Sequence, residues 1–199
     1  LSMLSRQSVL AILVACLTVL GVGNAWGTGV ATLPIDYIFI YGTTNSFDIL
    51  YPGVTKNNLG SDYAAANSPY MLKFDDTNDN IVVQTNYPAA KVIIAVKMIG
   101  GGNTSYFKLS GSVDGSSYTD IEQFTISGSS GSVVNCTTSV SISNTYRYFK
   151  LNFTKGSNVG LGRIKITKGT PASAYKVTFH PGTGTCLTDD LTEESAGDG

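Results

Sequence analysis

The chain has 199 residues, enough for one sizeable domain plus appendages. Only 14% are charged and the formal net charge is −1, so no basic field exists to attract nucleic acid or an anionic membrane surface. Eleven tyrosines in a background of Gly, Ser, Thr and Asn argue against a helical intracellular enzyme and for an all-β extracellular module.

Arg6, the apolar run over 9–22 and the small residues Gly23, Asn24 and Ala25 predict a signal-peptide helix over residues 1–25, cut after Ala25 or Gly27. The run is shorter than the roughly 18–20 residues that span a bilayer, and no stop-transfer cluster follows, so no membrane span is expected in the mature chain. Leu13-Val14-Ala15-Cys16 also fits a lipoprotein box with Cys16 as the lipidated residue, although the apolar run continues past it through Leu20. Residues 26–34 read as an N-terminal linker.

From Ile35 the hydrophobic period is two. Strands are predicted at 37–41, 70–74 and 81–85, with loop-like sequence at 57–69, where Gly60, Asp62, Asn67 and Pro69 break the pattern. The segment 91–99 contains VIIAVKMI, too apolar for a one-sided edge, and is expected to be a central strand. Further strands are predicted at 106–113, 118–126, 133–142, 147–154 and 162–167, with no convincing helix after the leader. So many short strands predict a sandwich or barrel, closing one core between two sheets, over residues 35–168.

Thr170-Pro171-Ala172-Ser173-Ala174 lies in a linker over 169–174, and a new strand begins at Tyr175. One strand cannot bury its own face, so residues 175–199 are expected to open a second β domain or surface repeat, with further domains of the same chain beyond residue 199. Cys136 is read as a small buried thiol, and Cys186 as having a partner in that later sequence; their mutual pairing stays open.

Two segments carry a family likeness. Leu109, Ser112, Asp114, Gly115, Tyr118 and Ile121 follow the order apolar, Ser-x-Asp-Gly, aromatic, apolar; Tyr146-Arg147-Tyr148-Phe149-Lys150-Leu151 and Gly162-Arg163-Ile164-Lys165-Ile166 come after it. This ordered set resembles the second half of the galactose-binding-like (discoidin) superfamily and implies a jelly-roll β-sandwich. The residues Tyr175-Lys176-Val177-Thr178-Phe179 with Gly184-Thr185 resemble the opening of a Listeria–Bacteroides surface repeat, which implies a bacterial cell-envelope protein of Bacteroidales type. The Asp114-Gly115 turn suits a tight hairpin because glycine accepts positive φ. Arg147, between two tyrosines, is placed to stack its planar cation. Tyr118 is expected to cap the sandwich and Ile121 to enter the core; three apart, they lie on opposite faces unless a bulge intervenes.

Catalysis is not expected. The one histidine, His180, falls in the second segment, which leaves the sandwich without a Ser-His-Asp set or a His-based zinc site, and its acids sit mostly in predicted turns. A calcium site is weighed at Asp75, Asp76, Asn78 and Asp79, whose oxygens suit a hard cation, against a solvated turn held by Asx hydrogen bonds. No other cofactor is expected. Sugar recognition needs flat rings beside hydrogen-bonding side chains, and Tyr41, Asn45, Phe47 and Tyr51 are the candidates, because the resemblance points to loops at the sandwich end. The opposing reading has Tyr41, Phe47 and Tyr51 plugging the core. Asn103, Asn135 and Asn152 open glycosylation sequons by pattern.

The expectation is a secreted, non-catalytic, cell-surface recognition module for a glycan or glycoprotein. The alternatives are a spacer or adhesin stalk with no small ligand, or the accessory domain of a secreted hydrolase.

Overall fold

The computed structural model describes residues 29–40 and 47–171. The leader over 1–25, Cys16, Tyr41, Asn45, His180, Cys186 and the segment 175–199 lie outside the described residues.

Among the described residues ten strands form a β-sandwich: β1 (Ile35–Ile38), β2 (Val54–Asn57), β3 (Leu72–Phe74), β4 (Asn80–Gln84), β5 (Ala89–Met98), β6 (Ser105–Ser112), β7 (Thr119–Ile126), β8 (Val133–Thr137), β9 (Tyr148–Thr154) and β10 (Val159–Lys168). One antiparallel sheet runs β1-β10-β5-β8, with β3 also on β10; the other runs β2-β4-β9-β6-β7. β1 and β3 share one edge of β10 in tandem, at Ile35–Ile38 against Arg163–Ile166 and at Leu72–Phe74 against Val159–Leu161.

The apolar alternation decides which faces meet. Val92, Ile94, Val96 and Met98 of β5 are fully buried, and β5 lies between β10 and β8, the central place that its apolar run predicts. From the second sheet come Ile81 and Val83, Phe107 and Leu109, Phe124 and Ile126, and Phe149, Leu151 and Phe153. Phe74 reaches across from the first sheet, its ring centroid 4.9 Å from Phe107 and 5.7 Å from Phe153. Edge-to-face contacts of this kind add about 0.5–1.5 kcal/mol beyond area burial.

Several details depart from the sequence reading. β2 falls in a stretch with too little alternation to announce a strand. A one-turn helix, α1 (Phe47–Leu50), and a 3-10 turn at Ala65–Asn67 interrupt the all-strand pattern. β8 ends at Thr137, where the chain turns so that the Thr138 hydroxyl accepts the Val92 N–H at 3.1 Å. Ahead of β1, in sequence read as linker, Ala31 pairs with Thr85 and both Ala31 and Leu33 are buried.

The β6–β7 hairpin matches its turn chemistry. Asp114 Oδ1 accepts the N–H groups of Ser116 and Ser117 and the Ser112 hydroxyl, while Ser112 Oγ accepts the Gly115 N–H. Gly115 takes φ +77°, the conformation for which glycine is suited. The register slips between Leu109 and Ser110, so a bulge does intervene at Ile121, which packs partly buried against the core. Arg147 does not stack on its neighbours; its Nη1 donates to the carbonyls of Asn144 and Tyr146.

Candidate functional site

Of the expected sugar-binding residues, Phe47 and Tyr51 lie among the described residues, and neither ring is exposed. Phe47 and Tyr51 are buried, and they close the side of the sandwich between the edge strands β1 and β2. The Tyr51 ring packs on Phe39 and Phe47 at centroid distances of 4.9 Å each. Its hydroxyl donates to the Ile38 carbonyl at 2.7 Å and accepts the Ile40 N–H at 3.3 Å. A sugar could not reach either ring face while the core stays closed. The physical reason is the edge itself: α1 covers the core where the outer strands β1 and β2 face each other.

The Asx-rich loop between β3 and β4 is organised around Asp79, only 1% exposed. Its Oδ2 accepts the N–H groups of Asp75 and Asp76, both at 2.9 Å. Asp75 is paired with Lys73 and Asp76 with Lys155, and Asn78 adopts φ +78° at the turn. Among the described residues no group of three or more His, Cys, Asp or Glu side chains is arranged to hold a metal ion. The hydrogen bonds of this loop are those of an Asx turn centred on Asp79.

Polar and aromatic side chains gather instead on the outward face of the β2-β4-β9-β6-β7 sheet. Residues two apart on a strand share a face, and the register lines them into rows. One row crosses all five strands: Asn57, Asn80, Asn152, Lys108 and Gln123. At about 4.8 Å per strand it is about 19 Å long. The adjacent row is Thr55, Val82, Lys150, Ser110 and Asp120, and beyond it stand Gln84, Tyr148 and Ser112. On the other side of the amide row Tyr106 stands between Thr154 and Thr125.

This face is partly roofed. Val82, Ser110 and Ser112 point outward yet are buried, at 6%, 3% and 1% exposure. Lys150 Nζ lies 4.2 Å from the centre of the Tyr118 ring, and the Tyr148 ring abuts Gly115 of the hairpin turn. Tyr118 thus reaches over the outward face of the sheet from its place beside the turn. Burial, with Tyr148 and Asp114 nearby, raises the Tyr118 phenol above its ordinary value, so it stays a neutral hydrogen-bonding group. Lys108 and the Ser110 hydroxyl both donate to Asp120, at 2.9 Å each, and hold its carboxyl below the usual range. Asn57 Nδ2 donates to Asn80 Oδ1 at 2.9 Å, and Asn80 Nδ2 donates to the Asn78 carbonyl at 2.9 Å, which fixes the direction of both amides.

Amides that both donate and accept, set between flat rings, can match hydroxyls on one side and C–H faces on the other. None of these residues was among the sequence candidates. Their signal was present as period-two alternation, in Tyr148-x-Lys150-x-Asn152 and Tyr106-x-Lys108-x-Ser110. What alternation lacks is the identity of each strand's neighbours.

No protein-family profile and no curated protein matches the chain. Solved structures of low sequence identity are similar in shape, and the following are or include carbohydrate-binding modules. CsCBM6-3 from Clostridium stercorarium, in complex with cellobiose, is 13% identical; the alignment covers 71% of this chain and 98% of that one, with a TM-score of 0.44. The CBM32 of AlyQ in complex with 4,5-unsaturated mannuronic acid is 16% identical over 58% of this chain and 94% of that one, with a TM-score of 0.41. The CBM22-1-GH10 modules of Clostridium thermocellum xylanase 10B, complexed with xylohexaose, are 8% identical over 64% of this chain and 28% of that one, with a TM-score of 0.41.

Proposed function

We propose that the chain is a non-catalytic recognition module that binds an elongated glycan across the outward face of the β2-β4-β9-β6-β7 sheet. The observation that supports this most is the in-register row Asn57–Asn80–Asn152 with tyrosines on both sides of it. A row about 19 Å long offers room for a chain of several sugar units rather than a single ring. The leader-like residues 1–25 support work outside the cell, and the C-terminal likeness to a surface repeat supports the bacterial envelope as the setting. The accessory domain of a secreted hydrolase is a form of the same reading, since such a domain delivers an enzyme to its polymer.

A glycan-array screen of the purified chain, with Asn152→Ala and Tyr106→Ala variants, tests the proposal. The expected result is saturable binding to extended oligosaccharides that weakens at least about tenfold in either variant while the melting temperature holds. Binding that survives both substitutions would remove this face as the site.

A second reading is a spacer or stalk that binds nothing small. The burial of Phe47 and Tyr51 favours it, because these rings serve the core. A folded chain that binds no glycan across a broad array would establish it over the first.

A further inference from the structure

The charge layout of the same face points to the class of glycan. Its four rows contain three charged side chains, Lys108, Lys150 and Asp120, and the single carboxylate is committed to one side. Asp120 Oδ2 takes the Lys108 ammonium at 2.9 Å and Oδ1 takes the Ser110 hydroxyl at 2.9 Å. Lys150 lies within ion-pair distance of no carboxylate among the described residues, though it is near enough to Asp120 to help lower that carboxyl; its ammonium rests on the Tyr118 ring. It stands on β9, the middle strand of the five, with neutral Val82 and Ser110 beside it and Tyr148 and Asn152 before and after it on the same face. An ammonium set against an aromatic face has no acceptor there, so its N–H donors are left for a further partner.

We propose that the glycan taken by this face is anionic, and that its carboxylate or sulfate is received by Lys150 while Asn152 and the tyrosines engage the sugar rings. The inference rests on the reading of the face as a carbohydrate surface. The arrangement gives one anion contact at the centre of the row with hydrogen-bonding amides to one side. That suits a chain carrying an acidic group on its repeating unit better than a neutral one, which would leave the ammonium desolvated and unpaired.

Affinity electrophoresis of the full chain separates the alternatives, with polygalacturonate as the carboxylated polymer, carrageenan as the sulfated one, and arabinoxylan and β-glucan as neutral chains. The expected result is retardation by an acidic polymer, and the responding gel tells carboxylate from sulfate. Lys150→Met should weaken it by about 10- to 100-fold, the loss of one charge-assisted hydrogen bond, and Lys150→Arg should largely preserve it. Melting curves of both variants separate loss of binding from loss of the ring contact that steadies Tyr118. Retardation by neutral chains as strong as by acidic ones overturns the anionic class, an unchanged response in Lys150→Met overturns Lys150 as the anion contact, and either leaves the glycan reading standing. No retardation by any polymer, with a blank glycan array, overturns both.

Discussion

The ring of Tyr146 occupies the space into which a side chain on Gly111 would project, with its Cε2 only 2.7 Å from where a Cβ would lie. Gly111 stands opposite buried Phe149 on the inward side of the second sheet, so the ring serves as its missing side chain. Gly111→Ala is expected to cost about 1–3 kcal/mol through overpacking, read as a fall in the urea midpoint. In a Tyr146→Ala background the same change should cost less, since the obstacle is gone. Equal losses in both backgrounds would show that the ring is not what excludes a methyl group.

The Tyr51 hydroxyl ties the α1 cover to the end of β1, donating to the Ile38 carbonyl and accepting the Ile40 N–H. Tyr51→Phe should lower stability by about 0.5–1.5 kcal/mol and leave glycan retention unchanged, whereas Tyr51→Ala should cost about 3–5 kcal/mol by opening a cavity. Binding lost in a folded Tyr51→Phe protein would return this segment to the site.

Asp114 makes the hairpin turn sensitive to acid. Backbone N–H bonds from Ser116 and Ser117, followed by the hydroxyls of Ser116 and Ser112, hold its carboxyl well below the ordinary value of 3.8. A depressed folded value stabilises the fold above the unfolded value, and that contribution is lost as pH falls toward the folded one. The difference in denaturation midpoint between the wild type and Asp114→Asn should be constant from about pH 5 to 8 and shrink below about pH 4. A difference that persists unchanged at the acid end would mean that shape, not charge, is what Asp114 contributes.

The buried Asp79 carboxylate satisfies two loop N–H groups, so Asp79→Ala is expected to cost about 1–3 kcal/mol. The melting temperature of the wild type should not respond to calcium or to a chelator. A calcium-dependent rise that disappears in Asp79→Ala would place a cation in this loop.

Much of this fold is legible locally. The run VIIAVKMI is apolar on both faces and becomes the strand flanked on both sides, and Ser112, Asp114 and Gly115 build the hairpin turn from contacts within three residues. Local chemistry also misleads. Phe47 and Tyr51 sit among Asn, Ser, Asp and Pro, surroundings typical of an exposed loop, yet they pack inward between the edge strands β1 and β2. The candidate face was illegible for a different reason. Asn57, Asn80 and Asn152 are 23 and 72 residues apart in sequence, and only the pairing of β2 with β4 and β4 with β9 makes them neighbours. No window of sequence holds that register.

The pairing of β1 with β10, Ile35 against Ile166, has a consequence for how the molecule comes into being. The first described strand must wait for the last, since β10 is its sheet neighbour among the described residues; Asp36 pairs with Lys165, 129 residues on, and its side chain joins that of Arg163, 127 residues on. A closure of that span gives the domain a high contact order and predicts folding in milliseconds to seconds rather than microseconds. During synthesis β1 would stand idle, its exposed Ile38 an invitation to the wrong partner, until β10 clears the ribosome and seals the sandwich in one late step.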